Sequence, residues 1–160
     1  METEKLKFKI GLSGTHPEKQ PHFRLSVDGI EQVIASISTK VDEIEYFEFE
    51  VNLDEGDHNF SIELLNKGVG DTVLDETGQI LADMLLNIDS IEIDDIDLGS
   101  LKWTLSSYEP EYPTKHVASV FKQSGEHPPK MVKNCVNLGW NGKWTLPFQS
   151  PFYIWLLENM

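Results

Sequence analysis

The chain has 160 residues and a mass of 18.2 kDa, enough for one domain with a buried core and too little for two. Its apolar fraction of 39% belongs to a folded protein, and its net charge of −14 disfavours nucleic acid and anionic membrane, whose phosphates need Lys and Arg. The charge is uneven: residues 1–100 hold 23 acids against 7 bases and residues 101–160 hold 4 against 6, so an acidic body carries a near-neutral ending.

No charged and apolar leader opens the chain, so no signal peptide is expected. No apolar run approaches the ~18 residues of a membrane span. The lone Cys135, in VKNCVNLGW, excludes an internal disulfide and a multi-thiolate metal site, and it is expected as a small buried hydrophobe.

Residues 5–12, KLKFKIGL, alternate Leu6, Phe8, Ile10 and Leu12 with lysines, which is the pattern of a half-buried strand. His22–Val27 alternates again, and Asp28-Gly29 is a two-residue hairpin signal into IEQVIASI. Phe47, Phe49, Val51 and Leu53 face in along the next strand, and Asp54–Asp57 turns the chain back into HNFSIELLN. Strands at this spacing, with few helix signals, predict an all-β antiparallel sandwich.

An acidic, glycine-broken loop follows, carrying Asp71, Asp75, Glu76 and Asp83, and it runs into a strand holding Asn87 and Asp89. Leu86 and Ile88 are in one phase, Ile91 and Ile93 in the other, which predicts a bulge near Asp89–Ser90. Asp94-Asp95 forms a tight corner, and Ile96–Leu98 and Leu101–Leu105, with Trp103 in register, complete the sheet pattern. Oxygen side chains converging where a loop meets a strand suit a hard cation such as calcium; the alternative is a solvated acidic loop.

The last third differs in kind. YEPEYP has no period and is expected as an arm, and residues 114–130 as a long polar excursion. Asn141-Gly142 between Trp140 and Trp144 predicts an aromatic hairpin, and Ser150-Pro151 an N-cap and first turn for a short terminal helix, FYIWLLENM. That helix is nearly all apolar and must bury against the sandwich or another subunit. The expected division is an acidic sandwich over 1–106, then arm, hairpin and helix over 107–160.

The chain has no nucleophile elbow, phosphate loop, dinucleotide fingerprint or HExxH, and its histidines lack zinc spacing. Binding or structural work is therefore favoured over catalysis. Sugars stack on aromatic rings. Tyr108 and Tyr112, in a loop beside prolines, are the expected platforms, while Trp103 and Trp155 are expected to pack in the core or at an interface.

DMLLNIDSIEIDDI, RLSVDGIEQ and HNFSIELLN resemble the calcium-dependent xylan-binding modules, which are small jelly-roll sandwiches. The resemblance spans roughly residues 22–98. It implies a jelly-roll fold, glycan binding and bound calcium, with Asn66, Asp83 and Asp89 at or beside metal positions; Asp71 joins them from the loop. Met84-Leu85 stands where the family has an Arg-Asn pair. The ending NLGWNGKW…SPFYIWLLENM is similar to proteins of large tailed phages, which implies a virion-associated protein assembled in the host cytoplasm. The expected partners are a glycan or other virion proteins, with the aromatic end as an oligomer contact. The alternatives are a structural virion protein with no ligand, and an acidic DNA mimic.

Overall fold

The alternating run near the start becomes the strand on which one sheet is built. In the computed structural model, which describes residues 3–67, 73–74, 76–77, 80–112, 121–126 and 128–160, β1 (Thr3–Gly14) buries Leu6, Phe8, Ile10 and Leu12 completely. It pairs antiparallel with β4 (Glu45–Asp54) on one side and β8 (Leu86–Ile93) on the other. Lysines on its outer face meet glutamates of β4, as in Lys5–Glu50 at 2.8 Å.

The second sheet grows from two hairpins. β2 (His22–Val27) and β3 (Ile30–Ser36) are joined through Asp28 and Gly29, both at positive φ (52° and 78°) as the sequence signal requires. β5 (Gly56–Leu64) returns from β4 and pairs with β2. Among the described residues, the two sheets run β12-β8-β1-β4 and β11-β10-β13-β5-β2-β3, with β12 (Asn137–Leu138), β11 (Val132–Lys133), β10 (Ser107–Pro110) and β13 (Gly142–Ser150) all from the final third. β9 (Ile96–Asp97) folds back on β8 through Asp94 and Asp95, both at positive φ. The acidic loop contributes a two-stranded ribbon of β6 (Val73–Leu74) and β7 (Ile80–Ala82).

The predicted bulge is present. Gly11 opposes Ser90 and Leu12 opposes Ile88, which leaves Asp89 as the extra residue of β8. The phase change let both Leu86/Ile88 and Ile91/Ile93 enter the core. Phe8, Phe49, Phe60 and Phe148, two from each sheet, meet at its centre. The all-β sandwich expected from alternation is the fold.

Three expectations are corrected. Residues 107–160 are not an appendage to a 1–106 domain: β13 lies between β10 and β5, in register with β5 from Gly142 to Ser150. Without it, β5 would leave an edge of unpaired backbone groups. The Asn141-Gly142 hairpin is absent, because β12 lies in one sheet and β13 in the other, and Gly142 at φ 149° is outside the turn's requirement. Leu101–Thr104 is a turn of helix (α1) rather than strand, and Trp103 on it is 46% exposed, outside the core. Leu101 and Leu105 are four apart, which fits a helix face as well as a strand, and so short a run cannot tell them apart. Residues 121–124 are helical (α2).

The terminal helix α3 (Phe152–Asn159) buries Phe152, Trp155 and Leu156, as its composition demanded. Its N-terminus is not capped by Ser150, however. The Glu4 carboxylate of β1 accepts hydrogen bonds from the Phe152 amide (2.7 Å) and the Ser150 hydroxyl (2.6 Å). A side chain from the start of the chain thus satisfies a donor that local sequence was expected to cap.

Candidate functional site

At the end of β5 the chain leaves its sheet and is fixed by side chains rather than by strand pairing. The Asn66 carboxamide accepts from the His22 amide (2.8 Å) and donates to the Gln20 carbonyl (3.0 Å). Asn141 clips the next residue in the same way, accepting from the Lys67 amide (2.8 Å) and donating to its carbonyl (3.1 Å). The Lys67 side chain then turns inward, only 3% exposed. Its ammonium donates to Asp83 and to the Met84 carbonyl (3.1 Å) and lies 5.8 Å from the Trp140 ring centre. Thr15 completes the junction, donating to the Asp83 carbonyl (2.5 Å) and accepting from the Leu85 amide (3.0 Å). Segments far apart in sequence thus meet around one buried cation.

The three described residues of the set expected to hold calcium, Asn66, Asp83 and Asp89, are each engaged elsewhere or apart from the others. The Asn66 amide is engaged on backbone, Asp83 is ion-paired with Lys67, Asp89 is exposed at the bulge, and Asp71 lies outside the described residues. Among the described residues, no group of three His, Cys, Asp or Glu is placed to hold a metal ion. Calcium needs six to eight oxygens, and the described members of this donor set do not fit it.

The two expected platforms part company. Tyr108 is 3% exposed, and its hydroxyl donates to the Trp140 carbonyl and accepts from the Trp140 amide (3.1 Å). Burial drives its phenol pKa well above the ordinary value, against the Trp140 hydrogen bond. It is a core residue, since register places it inward against Trp144 of β13. Tyr112 is half-buried, with its ring edge-on to Trp140 at 5.8 Å and 71°. Cys135, expected as buried, is partly exposed and packs against the core; its thiol donates to the Asn137 carbonyl (3.1 Å).

Tyr112 lines a cleft of about 460 Å³ on the outer face of the larger sheet, with Glu63, Glu109, Glu111, Lys130 and Lys143. Strand register builds it: Glu109, Lys143, Glu63 and Arg24 are successive neighbours across β10, β13, β5 and β2. Arg24 bonds Glu63 (3.1 Å) and Glu31 (2.9 Å), which pins one wall. A smaller cleft of about 110 Å³ shares Glu63 and Glu111 and reaches Asn141, tying the surface to the Lys67 junction. Sequence reasoning missed Lys67, Asn141 and this cleft. Alternation does mark Glu63 and Lys143 as outward, but nothing in the chain shows that their strands are neighbours.

A second polar junction lies at the start of β5. The His58 ring bonds Asp28 (2.6 Å) through Nδ1 and the Asp54 carbonyl (2.6 Å) through Nε2, joining the β2–β3 and β4–β5 turns. Burial alone would lower the imidazole pKa, but the Asp28 carboxylate and the Asp54 carbonyl outweigh it and raise the value above the ordinary 6.5. Because the folded pKa is the higher one, this stabilisation is complete below the unfolded value and disappears as pH climbs through the folded one. The Tm gap between wild type and His58→Gln is therefore expected to shrink as pH rises from below 6.5 through the raised folded value. A gap that is flat or widens with pH would remove His58 as the cause.

No protein-family model matches the sequence, and no curated protein matches it significantly. Two solved structures are similar in fold. One is vCBM60 in complex with galactobiose: TM-score 0.50, 12% identity, covering 88% of this chain and 96% of that one. The other is a SeMet form of vCBM60, from work on a circular permutation linking two families of calcium-dependent carbohydrate binding modules: TM-score 0.55, 11% identity, 88% and 89% covered. At such identity the likeness is one of fold.

Proposed function

We propose that this protein is a non-catalytic glycan-binding module that takes neutral sugars in the cleft of Tyr112. The observation that carries this reading is the make-up of that cleft: Glu63, Glu109 and Glu111 with Lys130 and Lys143 beside a half-buried tyrosine ring. Sugar hydroxyls donate to carboxylates and accept from ammonium groups, while the aromatic ring receives the apolar face of a pyranose. The same carboxylates, on a chain of net charge −14, disfavour uronic and sulfated sugars. A sandwich whose structural neighbours bind carbohydrate supports the reading.

The setting we propose is a phage particle assembled in the host cytoplasm, on the resemblance of the aromatic ending to proteins of large tailed phages. Tyr153, Ile154, Leu157 and Met160 of the α3 end are exposed, which supports attachment there to another virion protein or to a second copy. A module with attachment and no ligand is the competing reading, and the glycan test separates the two.

Wild-type protein is expected to bind neutral glycans on an array, with galactobiose as the first probe by calorimetry. Tyr112→Ala should weaken binding by about tenfold or more, which is about 1.4 kcal/mol, with little change in Tm. An array empty for wild type would leave the attachment reading. Unchanged affinity in both Tyr112→Ala and Lys143→Ala would remove the cleft as the site.

A further inference from the structure

We infer that Lys67 supplies, from inside the chain, the positive charge that a metal ion supplies in calcium-dependent modules, so that this protein is assembled and binds its ligand without calcium. The consequence for binding rests on the glycan reading above; the consequence for folding does not.

Asp83 already has a cation, and that cation is almost wholly removed from water, with the Lys67 side chain 3% exposed. Burying an ammonium is costly unless it is paired and hydrogen-bonded, so its surroundings show what it is for. They are a carboxylate oxygen of Asp83, a backbone carbonyl of Met84 and the Trp140 ring. Carboxylate and carbonyl oxygens are also what a calcium ion collects, and an aromatic face attracts cations through its quadrupole.

The position matters as much as the shell. Asn66, also expected beside the metal, holds the backbone of residues 20 and 22 with both ends of its amide. Asn141 holds the Lys67 backbone, and Trp140 is held in turn by the Tyr108 hydroxyl. The ammonium thus links the end of β5, the entry to β8 and the turn before β13. A bound cation would make the same cross-link, but a tethered one cannot be chelated away, and it answers no change in calcium concentration.

The test is thermal melting and glycan binding in EDTA and in millimolar calcium, on wild type, Lys67→Gln and Lys67→Arg. Wild-type Tm is expected to be the same in both media, because mass action stabilises a fold only where the ion binds it. Lys67→Gln should melt several degrees lower, and Lys67→Arg, which keeps the charge, should recover part of the loss. Should Lys67→Gln not fold, the wild-type and Arg measurements decide. A wild-type Tm that rises with calcium and falls in EDTA overturns the inference, as does a Lys67→Gln protein as stable as wild type. Glycan binding that needs calcium overturns it while leaving the glycan reading intact. A calcium-indifferent wild type with a weakened Lys67→Gln and no glycan bound supports the inference and sinks the glycan reading alone.

Discussion

Gly142→Ala is expected to destabilise the protein by about 3 kcal/mol or more, a Tm loss of about 6–12 °C for a chain of this size. A Cβ built on Gly142 would lie 2.3 Å from the Glu109 carbonyl oxygen and 2.8 Å from the Pro110 Cα, both backbone atoms of the paired strand β10. Its φ of 149° is strained for any side chain, so clash and strain add. The strand cannot retreat cheaply, since β13 is bonded to β5 on its other side. The effect should reach the site, because Asn141 beside it clips Lys67 and both Asn141 and Gly142 line the smaller cleft. Gly139→Ala is the control: its Cβ would meet only the flexible Leu85 side chain, at 3.3 Å. Equal melting temperatures for the two variants would refute the close approach of β10 and β13.

Phe8→Ala should cost about 3–5 kcal/mol, a large share of the ~5–15 kcal/mol that holds a domain folded. Phe8 is fully buried and stacks on Phe49 at 4.8 Å and 8°, with Phe60 at 5.4 Å and Phe148 at 5.9 Å. Phe49 belongs to its own sheet and the other two to the facing one, so the cavity would open between the layers, where neither sheet can collapse without losing register. Phe8→Leu refills much of the volume and should cost clearly less. Urea unfolding with an unchanged slope would assign the difference to native packing. A loss under about 1 kcal/mol would mean that the two sheets do not meet there.

Alternation made the sandwich legible. Leu6, Phe8, Ile10 and Leu12 in β1, and Phe60, Ile62 and Leu64 in β5, enter the core as their period requires. Asp28-Gly29 and the Asp89 bulge are equally local, the first a matter of φ and the second of phase. Asn141-Gly142 misled because its dipeptide chemistry suits a hairpin, yet the preceding strand joins the opposite sheet. Tyr108 misled because proline neighbours suggest an exposed loop, whereas its register against Trp144 turns the ring inward.

What the chain determined by itself is everything that depends on residues a few positions apart: strand periods, turn conformations, an apolar terminal helix and an excess of negative charge. What only the tertiary structure decided is which distant segments became neighbours. Lys67 meets Asp83 and Trp140, Glu4 caps the last helix, and Glu109, Lys143 and Glu63 fall into one ladder. The reason is physical. Local preferences act along the backbone, whereas a buried ion pair or a cross-strand contact is selected by the packing of the whole core, and its partners carry no mark in the sequence between them.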